Sequence, residues 1–448
     1  EKKIKEASMK KNIYVDLDEK LLDEVNNLVE SPSILLCKFD KKFLHIPEEI
    51  LVIVMQFHQK YFHSFDKNKK INNEFFVVAN NKDQKGLIKY GNEKVIEARL
   101  RDAEFFWNKN KSQNLVKQVS KLKNVNYFKN LGNYYDKSQR LKKLSGLISD
   151  ELLISKEKIE IASTICKVDL LSDLVGEFPE LQGILGGHFA AFQGFDKEIC
   201  HAVSEHYLPT GANSKIPKKS YSIALSLADK LDTLVGFFGL GLKPSSSKDP
   251  YALRRLANGM IKIILENNIK LKLSNLIKDA FMIYEDQNIN FDIKKTQNEL
   301  LEFLHDRFKH FMKDKGVRND IIDSSISIYN IDEILKIYKK ATTFNKVVSK
   351  ETGIDLMFSY KRALNIIESE SAKVEFDELN TVDPGLFKNN FEKNLYEKIY
   401  EIKKDFSNLT KENENFNLLQ SLASSKKEII DFFDNVVVND SDEVIKKN

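Results

Sequence analysis

Three acidic residues, several glycines, a Lys-Ser patch and a double arginine lie in one short stretch of the sequence, SLADKLDTLVGFFGLGLKPSSSKDPYALRRL (residues 226–256). These residue types could form a phosphate loop, a metal site or a joint between two helices. A Walker-type phosphate loop requires glycines that lead directly into Gly-Lys-Ser/Thr at a helix start, and this order is absent. Two helical carboxylates without a histidine partner, here Asp229 and Asp232, are more often ion-paired than bound to a metal.

Two interpretations of the stretch remain, and they differ in what Arg254 and Arg255 contact. In the first, one of the two aspartates forms a salt bridge with one of the two arginines across a helix–loop–helix joint, because buried charges normally occur in pairs. In the second, the arginine pair faces RNA phosphate. Cations near a helix N-terminus are disfavoured by the macrodipole, so an anion should offset that cost.

A second stretch, between Trp107 and Lys143, is strongly basic and contains a single acid, Asp136. Tyrosines and a phenylalanine lie among its cations, a composition typical of a polyanion-binding surface. A lysine-rich, solvated helix face explains the same composition. The cations of this basic stripe are Lys109, Lys111, Lys117, Lys121, Lys123, Lys129, Lys137, Arg140, Lys142 and Lys143, of which Lys109, Lys117, Lys121, Lys123, Arg140, Lys142 and Lys143 are the candidate contacts.

Other chemistry-bearing patterns are absent from the sequence. There is no nucleophile elbow, no dinucleotide fingerprint and no Cys/His cluster. Cys37, Cys166 and Cys200 are too few and too widely spaced for a disulfide framework or a zinc ribbon, which favours a reducing cytoplasm. No run approaches the roughly 20 apolar residues that a membrane helix needs. The sequence therefore predicts no catalytic, cofactor-binding or metal-ligating residues in this chain, and no membrane association.

The elements that must position these residues follow from hydrophobic spacing. The first part mixes helices and strands: LLDEVNNLVE is a predicted helix ended by Ser-Pro, SILLCKF and EFFVVANN are predicted strands, and KKFLHIPEEILVIVM is a predicted strand followed by a Pro-led helix. From about Leu131 the chain is predicted to be almost wholly helical, including EILKIYKKATTFNKVVSK and FEKNLYEKIYEIKKDF.

Around the opening stretch, apolar residues recur every three or four positions from Ala224 to Phe238, which predicts a helix with one broad buried stripe. The glycines that follow end this helix. Asp249 before Pro250 predicts the start of the next helix, with an acidic N-cap and a proline at the first helical position.

The sequence resembles the β subunits of bacterial glycyl-tRNA synthetase, the form built from two α and two β chains. The specific motif is A-D-K-x-D-T-L-x-G followed by K-D-P-x-A-L-R-R, both present in residues 224–264. Six further blocks agree in order and spacing: QKYF, GNEKVIEARLRDAEFFW, DLVGEFPELQG, EHYLP, KRALNII and IIDFFDNVVV. The resemblance runs from about Leu21 to Val438, and it implies that the chain is shorter than family members at both ends.

The resemblance implies a multidomain, predominantly α fold. Its parts would be a mixed α+β region of the tRNA-binding body (residues 1–130), an HD-like helical domain (131–270), a helical connector (271–340) and a helical anticodon-binding bundle (341–448). HD-type phosphohydrolases hold a metal with a His…His-Asp…Asp set. Here Val168-Asp169 takes the place of the His-Asp doublet and Asp229 that of the distal acid. The resemblance thus implies a degenerate, inert scaffold whose acids serve helix–helix salt bridges or positioning.

The function implied by the resemblance is tRNA binding within a glycine–tRNA ligase, which attaches glycine to tRNA(Gly). The partner α subunit would carry the adenylation site with ATP and Mg, so this chain is part of the enzyme without holding that site. Lys361, Arg362 and Asn365 match the family's K-R-x-x-N and would contact the anticodon loop, although an exposed charged helix start explains the same residues. The alternatives from other classes are a metal-dependent phosphohydrolase acting on nucleotides and a purely structural helical scaffold.

Overall fold

The computed structural model describes residues 1–11, 13–328, 331–350, 353–354, 357, 360–361, 364–365, 382–407, 420–437, 442 and 444. The chain forms two compact units, Glu1–Leu304 and His305–Asn448. The described residues are mostly helical, with one small antiparallel sheet, in agreement with the predicted fold class. The finer division into four regions stays a prediction.

The sheet lies near the start of the first unit and has the strand order β1-β3-β4-β2. Its strands are β1 (Tyr14–Val15), β2 (Ser33–Lys38), β3 (Phe62–Phe65) and β4 (Ile71–Ala79). All neighbours are antiparallel, and Cys37 of β2 lies opposite Phe75 of β4. The two strands predicted from SILLCKF and EFFVVANN are therefore confirmed as β2 and β4.

Side chains alternate between the two faces of the sheet along each strand, and one of these faces packs against two helices. Phe62 and Phe76 form one core with Ile4 of α1 (Lys2–Lys11) and with Leu21 and Val25 of α2 (Glu19–Leu28). The predicted helix in LLDEVNNLVE is confirmed as α2.

One predicted strand is wrong. Residues Lys41–His45 of KKFLHIPEEILVIVM form a short 3-10 helix. The Asp40 carboxylate caps its N-terminus by accepting a hydrogen bond of 3.0 Å from the Lys42 amide, and this local bond favours a helical turn over an extended chain. The helix predicted after Pro47 is present as α3 (Glu48–Ile53), and a π-helical turn, Val54–His58, continues it.

The rest of the first unit is helical, and the helices pack around one that is buried on nearly all sides. The remaining helices of this unit are α4 (Leu87–Lys111), α5 (Leu115–Gln118), α6 (Tyr134–Leu152), α7 (Lys156–Ile165), α8 (Asp173–Glu177), α9 (Ile184–Phe192), α10 (Lys197–Glu205), α11 (Ser220–Gly239), α12 (Leu253–Glu266) and α13 (Leu273–Glu285). Short 3-10 helices cover Val119–Asn124, Val168–Leu171 and Pro179–Leu181.

Helix α11 is the central element, since α6, α7, α10, α12 and α13 all contact it. Its apolar residues follow the predicted spacing, and a helix that is apolar on most sides must be enclosed by others. Three charged residues, Asp229, Lys230 and Asp232, are buried with the apolar ones, each with no more than 6% of its surface exposed. Their partners determine how the surrounding helices are placed.

The start of α12 differs from the prediction. The helix begins at Leu253 rather than at Pro250, after a turn in which Ala252 takes the left-handed conformation with φ of 55°. Asp249 nevertheless supplies the anion: its carboxylate accepts hydrogen bonds from the amides of Leu253 and Arg254, both at 2.9 Å. A carboxylate of the chain itself therefore accepts the hydrogen bonds of the first two amides of α12.

Two helices of the second unit were predicted from the sequence. Helix α14 (Ile293–Asp314) contains the division between the units, and α15 (Asn319–Ile328), α16 (Ile334–Val348), α17 (Asn390–Ser407) and α18 (Lys426–Asn435) follow. EILKIYKKATTFNKVVSK is confirmed as α16 and FEKNLYEKIYEIKKDF as α17. No helix in the described ranges is long and apolar enough to cross a membrane.

A close approach between α9 and α10 gives a stability prediction. A Cβ atom added at Gly187 would lie 2.6 Å from Ser204 Cβ and 2.8 Å from the Cys200 carbonyl oxygen, and backbone cannot move aside cheaply. We expect Gly187→Ala to lower the free energy of unfolding by about 2 kcal/mol, as overpacked cores do. Chemical denaturation measures this loss.

The matched control is Gly91→Ala in α4, where an added Cβ meets nothing within 4 Å. This change should raise the free energy of unfolding by about 0.5–1 kcal/mol, because alanine loses less backbone entropy than glycine on forming a helix. Equal effects at the two positions would contradict the packing of α9 on α10.

Candidate functional site

Five buried charged residues form one network on the side of α11 that faces α6. We call Lys137, Arg140, Lys167, Asp229 and Asp232 the buried ion-pair network; each has at most 6% of its surface exposed. The Asp232 carboxylate accepts a hydrogen bond of 2.6 Å from Arg140 Nε and one of 2.8 Å from Lys137 Nζ. Asp229 Oδ1 lies 3.2 Å from Lys137 Nζ and 2.9 Å from Lys167 Nζ. The network thus ties α6 and the segment after α7 to α11.

The charges of the network hold each other in their ionised forms. Burial opposes the charge on Asp229, but the Lys137 and Lys167 ammonium groups outweigh it and hold the pKa of Asp229 well below its usual range. Burial likewise opposes ionisation of Asp232, yet Arg140 and Lys137 lower its pKa. In turn, Asp229 and Asp232 overcome the burial of Lys137 and raise its pKa well above the usual value.

His206 extends the network as an uncharged hydrogen-bond acceptor for Lys167. Its Nδ1 lies 2.6 Å from the Val203 carbonyl oxygen and its Nε2 lies 2.9 Å from Lys167 Nζ. Because an ammonium group can only donate, Nε2 accepts and the proton is on Nδ1. Burial, followed by the Lys167 charge, holds the pKa of His206 well below its usual value, so the imidazole is uncharged.

Lys230 points to another side of α11 and forms no ion pair with a carboxylate among the described residues. Its Nζ donates to the Leu208 carbonyl at 2.6 Å, to Ser226 Oγ at 2.9 Å and to the Tyr207 carbonyl at 3.3 Å. Burial lowers the pKa of this lysine to about 7. The side chain anchors the turn EHYLP to the central helix.

Asp169, one of the two degenerate HD-site acids, caps helix α9. Its Oδ2 accepts hydrogen bonds from the amides of Gly183 at 2.5 Å and of Gly186 at 3.2 Å, where the helix dipole favours an anion. Its Oδ1 is buried and has no hydrogen-bond partner in the part of the chain that the structure describes. Burial therefore dominates and raises the pKa of Asp169 to about 6.

The residues around Asp229 do not fit a divalent metal ion. Its nearest charged neighbours are the ammonium groups of Lys137 and Lys167, which repel a cation, and Val168 offers no ligand atom. Over the part of the chain that the structure describes, no group of three or more His, Cys, Asp or Glu side chains converges on one point. The chemistry of the donor set is that of an internal salt bridge.

The predicted salt bridges of the aspartates with Arg254 and Arg255 are wrong. Asp229 and Asp232 face α6, whereas α12 packs on the side of Lys230, whose Cε lies 3.1 Å from a Cβ built on Gly259. The arginines bond to backbone instead: Arg254 donates to the Ser245 carbonyl and Arg255 to the Thr210 carbonyl at 3.3 Å. Neither guanidinium group has a carboxylate within 4 Å in the ranges described.

The structure divides the basic stripe into paired and unpaired cations. Arg140 is a correction: it is 1% exposed and bound to Asp232, so it cannot contact a macromolecule from the surface. Lys109, Lys142 and Lys143 lie at the surface and form ion pairs with Asp173, Glu160 and Asp286 at 2.9, 3.4 and 2.7 Å. Their charges are therefore largely compensated.

Lys117, Lys121 and Lys123 are exposed and have no ion pair among the described residues, and we call them the unpaired lysines. They lie on α5 and the 3-10 helix after it. Asn114 starts this segment as N-cap of α5 by accepting a hydrogen bond of 2.9 Å from the Lys117 amide. Gln193 fixes the segment onto the end of α9: it accepts from the Leu115 amide at 3.1 Å and donates to the Gln113 carbonyl at 2.8 Å.

Of the three residues predicted to contact the anticodon loop, two are among those that the structure describes. Lys361 and Asn365 are helical and exposed, and Arg362 lies outside the described residues. Their predicted role stays a prediction.

Sequence reasoning missed Lys137, Lys167, Lys230 and His206 as buried partners. A signal existed for α6: Lys137 and Arg140 lie at helical intervals from Leu141 and Leu144, the apolar residues of its buried face. Two cations on an apolar stripe predict buried carboxylates opposite. No comparable signal marks Lys167, which lies in a short irregular segment.

Structurally, the chain is a mainly helical scaffold whose polar centre is an ion-pair network, with unpaired cations on its surface. Comparison with known proteins gives the family. The sequence profile described as glycyl-tRNA synthetase beta subunit matches residues 1–327. The chain belongs to this family.

Curated relatives agree over nearly the whole chain. The chain is 37% identical over 445 residues to the glycine–tRNA ligase beta subunit of Thermodesulfovibrio yellowstonii, covering 99% of this chain and 63% of that protein. It is 35% identical over 438 residues to the Clostridioides difficile protein of the same name, covering 97% and 62%, and 36% identical over 448 residues to that of Rickettsia typhi, covering 99% and 64%. The chain thus spans somewhat less than two thirds of the length of these relatives.

Removing one charge from the network should be costly. Asp229→Asn leaves the Lys167 ammonium group buried without a carboxylate, and we expect the free energy of unfolding to fall by about 3–5 kcal/mol. Adding Lys167→Met to this variant should recover part of the loss, because the unpaired charge is then gone. Denaturation of both variants measures this coupling.

The control is Asp286→Asn, which breaks the exposed pair with Lys143 and should cost less than about 1 kcal/mol. A loss at Asp229 as small as that at Asp286, or no recovery in the double variant, would contradict the network.

The raised pKa of Asp169 makes stability depend on pH. Between pH 3.8, the ordinary carboxyl pKa, and about pH 6, the folded chain keeps a proton on Asp169 that the unfolded chain has lost. This proton binding stabilises the fold fully below the lower pH, and the stabilisation is lost as pH rises through 6. The free energy of unfolding, relative to that of Asp169→Asn, should therefore fall by about 2 kcal/mol between pH 4 and pH 7. Denaturation of both chains across this range tests it. A difference that does not change with pH, or that rises, would show that the two amide bonds already keep the carboxylate charged.

Proposed function

We propose that the chain is the tRNA-binding part of a glycine–tRNA ligase. It holds tRNA(Gly) while a partner α subunit, with ATP and Mg, forms glycyl-adenylate and supplies the glycine. The names of the relatives support the reaction and the existence of a partner. The observation that carries the RNA-binding role is the set of unpaired lysines, because exposed cations without carboxylates remain available to phosphate.

The proposal assigns different tasks to the two kinds of cation. Lys137, Arg140 and Lys167 are consumed by internal ion pairs and hold the helices together. The unpaired lysines, on a segment fixed by Asn114 and Gln193, present their charges to the RNA backbone. Phosphate contacts of this kind position a nucleic acid without reading its sequence.

Other parts of the proposal concern regions and partners. The helical region 131–270 is an HD-like scaffold without its metal, and region 341–448 is an anticodon-binding bundle that uses exposed Lys361 and Asn365 together with Arg362. Two such chains assemble with two α chains in the cytoplasm. A nucleotide phosphohydrolase is disfavoured, because the acid that would hold its metal is occupied by two lysines.

Reversing the unpaired lysines tests the proposed surface. Lys117, Lys121 and Lys123 are replaced by Glu together, and Kd for tRNA(Gly) is measured over a series of salt concentrations. Because fewer counterions are released when fewer phosphates are neutralised, the affinity should fall by more than tenfold at low salt. The dependence of log Kd on log salt should weaken by about 0.9 for each phosphate that the variant no longer neutralises.

The matched control reverses three exposed lysines at the β3–β4 turn, Lys67, Lys69 and Lys70, which changes net charge by the same amount. This control should bind tRNA(Gly) nearly as the unmodified chain does. If both triple variants lose affinity equally, the effect is one of overall charge and the assigned surface is wrong.

A further inference from the structure

Three aromatic rings form a cluster where the basic stripe meets the start of α12. The ring centroids of Phe237 and Tyr251 are 4.7 Å apart, those of Phe128 and Phe237 are 4.7 Å apart, and those of Phe128 and Tyr251 are 5.6 Å apart. Phe237 is buried in α11, whereas 38% of Tyr251 is exposed. We call these three residues the aromatic platform, and Tyr251 is its exposed ring.

The backbone on both sides holds the platform in place. Phe128 lies in a turn closed by a β-bridge between Asn126 and Asn133, and its carbonyl accepts a hydrogen bond of 3.0 Å from the Leu131 amide. Tyr251 precedes Ala252, whose left-handed conformation is kept by the Asp249 carboxylate on the first amides of α12. An exposed aromatic ring held this firmly loses little conformational freedom when a ligand stacks on it.

Four cations lie close to the platform along the chain. Lys129 follows Phe128 directly, and Lys248, Arg254 and Arg255 all lie within four residues of Tyr251. In the described parts of the chain none of the four side chains forms an ion pair. The guanidinium groups of the two arginines contact backbone carbonyls, and the nearby Asp249 carboxylate is bound to backbone amides of α12. An exposed ring near side-chain cations that form no ion pair fits an aromatic group joined to phosphates.

We propose that Tyr251 is a stacking site for an unpaired base of an RNA, with Lys129, Lys248 and Arg255 contacting the phosphates beside that base. This inference rests on the proposed function and assigns it a second point of contact, distinct from the unpaired lysines. Bases in a duplex are stacked on their neighbours and are not available to a protein ring, whereas bases in loops and single-stranded ends are. Each base stacked on an aromatic side chain typically contributes enough to change affinity by about tenfold or more.

The test compares two RNA probes and two substitutions in the 448-residue chain. Tyr251→Leu keeps an apolar side chain against Phe128 and Phe237 but removes the π face, and Tyr251→Phe keeps the ring. Tyr251→Leu should weaken binding of oligouridylate about tenfold. It should leave the affinity for an RNA duplex with the same number of phosphates unchanged within about twofold, and Tyr251→Phe should bind both probes as the unmodified chain does.

Tyr90→Leu, at a tyrosine of α4 that is 59% exposed, is the control and should bind both probes normally. Circular dichroism of each variant verifies the fold. An equal loss for single-stranded and duplex RNA, or unchanged binding of oligouridylate by Tyr251→Leu, overturns this inference alone. So does a result in which Tyr251→Leu weakens only the binding of a protein partner. Failure of the unmodified chain to bind any RNA, tRNA(Gly) included, overturns the proposed function as well.

Discussion

The constraint on which the first unit depends is the burial of two aspartates in its central helix. Helix α11 is enclosed on nearly all sides, and its residues Asp229 and Asp232 are buried in the interior of the unit. An uncompensated charge there would strongly destabilise the fold. Their charges are matched by cations that come from outside the helix, Lys137 and Arg140 from α6 and Lys167 from the segment after α7. The positions of these elements around α11 therefore follow from charge pairing as much as from apolar packing.

The same pairing separates structural cations from those that can bind a ligand. A cation with a buried carboxylate partner, such as Arg140, contributes nothing to the field outside the protein. Cations such as Lys117 and Arg255 form no ion pair among the residues described, so their charge is felt by an approaching polyanion. The formal net charge of only +4 understates the positive charge of the basic stripe, because nearly all acidic residues lie in other parts of the sequence.

How far the sequence predicts the structure depends on the kind of signal. Long apolar periodicity predicted α11, α16 and α17, and the short β-rich runs predicted β2 and β4. Local side-chain hydrogen bonds were harder to predict from the sequence. The Asp40 carboxylate caps a 3-10 helix where a strand was predicted, and the Asp249 carboxylate caps α12 from four residues before its start. The pairing of Asp229 and Asp232 was predicted with the wrong partners, because sequence proximity favoured Arg254 and Arg255. The true partners are distant in the sequence, and only the packing of α6 brings them close.

The central claim is that the outward, unpaired cations of this chain hold an RNA while the paired ones stay inside. Chemical modification of lysines with and without tRNA(Gly), followed by mass spectrometry, measures it most directly. We expect bound tRNA to protect Lys117, Lys121 and Lys123 from modification and to leave the modification rates of Lys67, Lys69 and Lys70 unchanged. Buried Lys137 and Lys167 should react slowly in both states. Modification of the three unpaired lysines at the same rate with and without saturating tRNA(Gly) would contradict it.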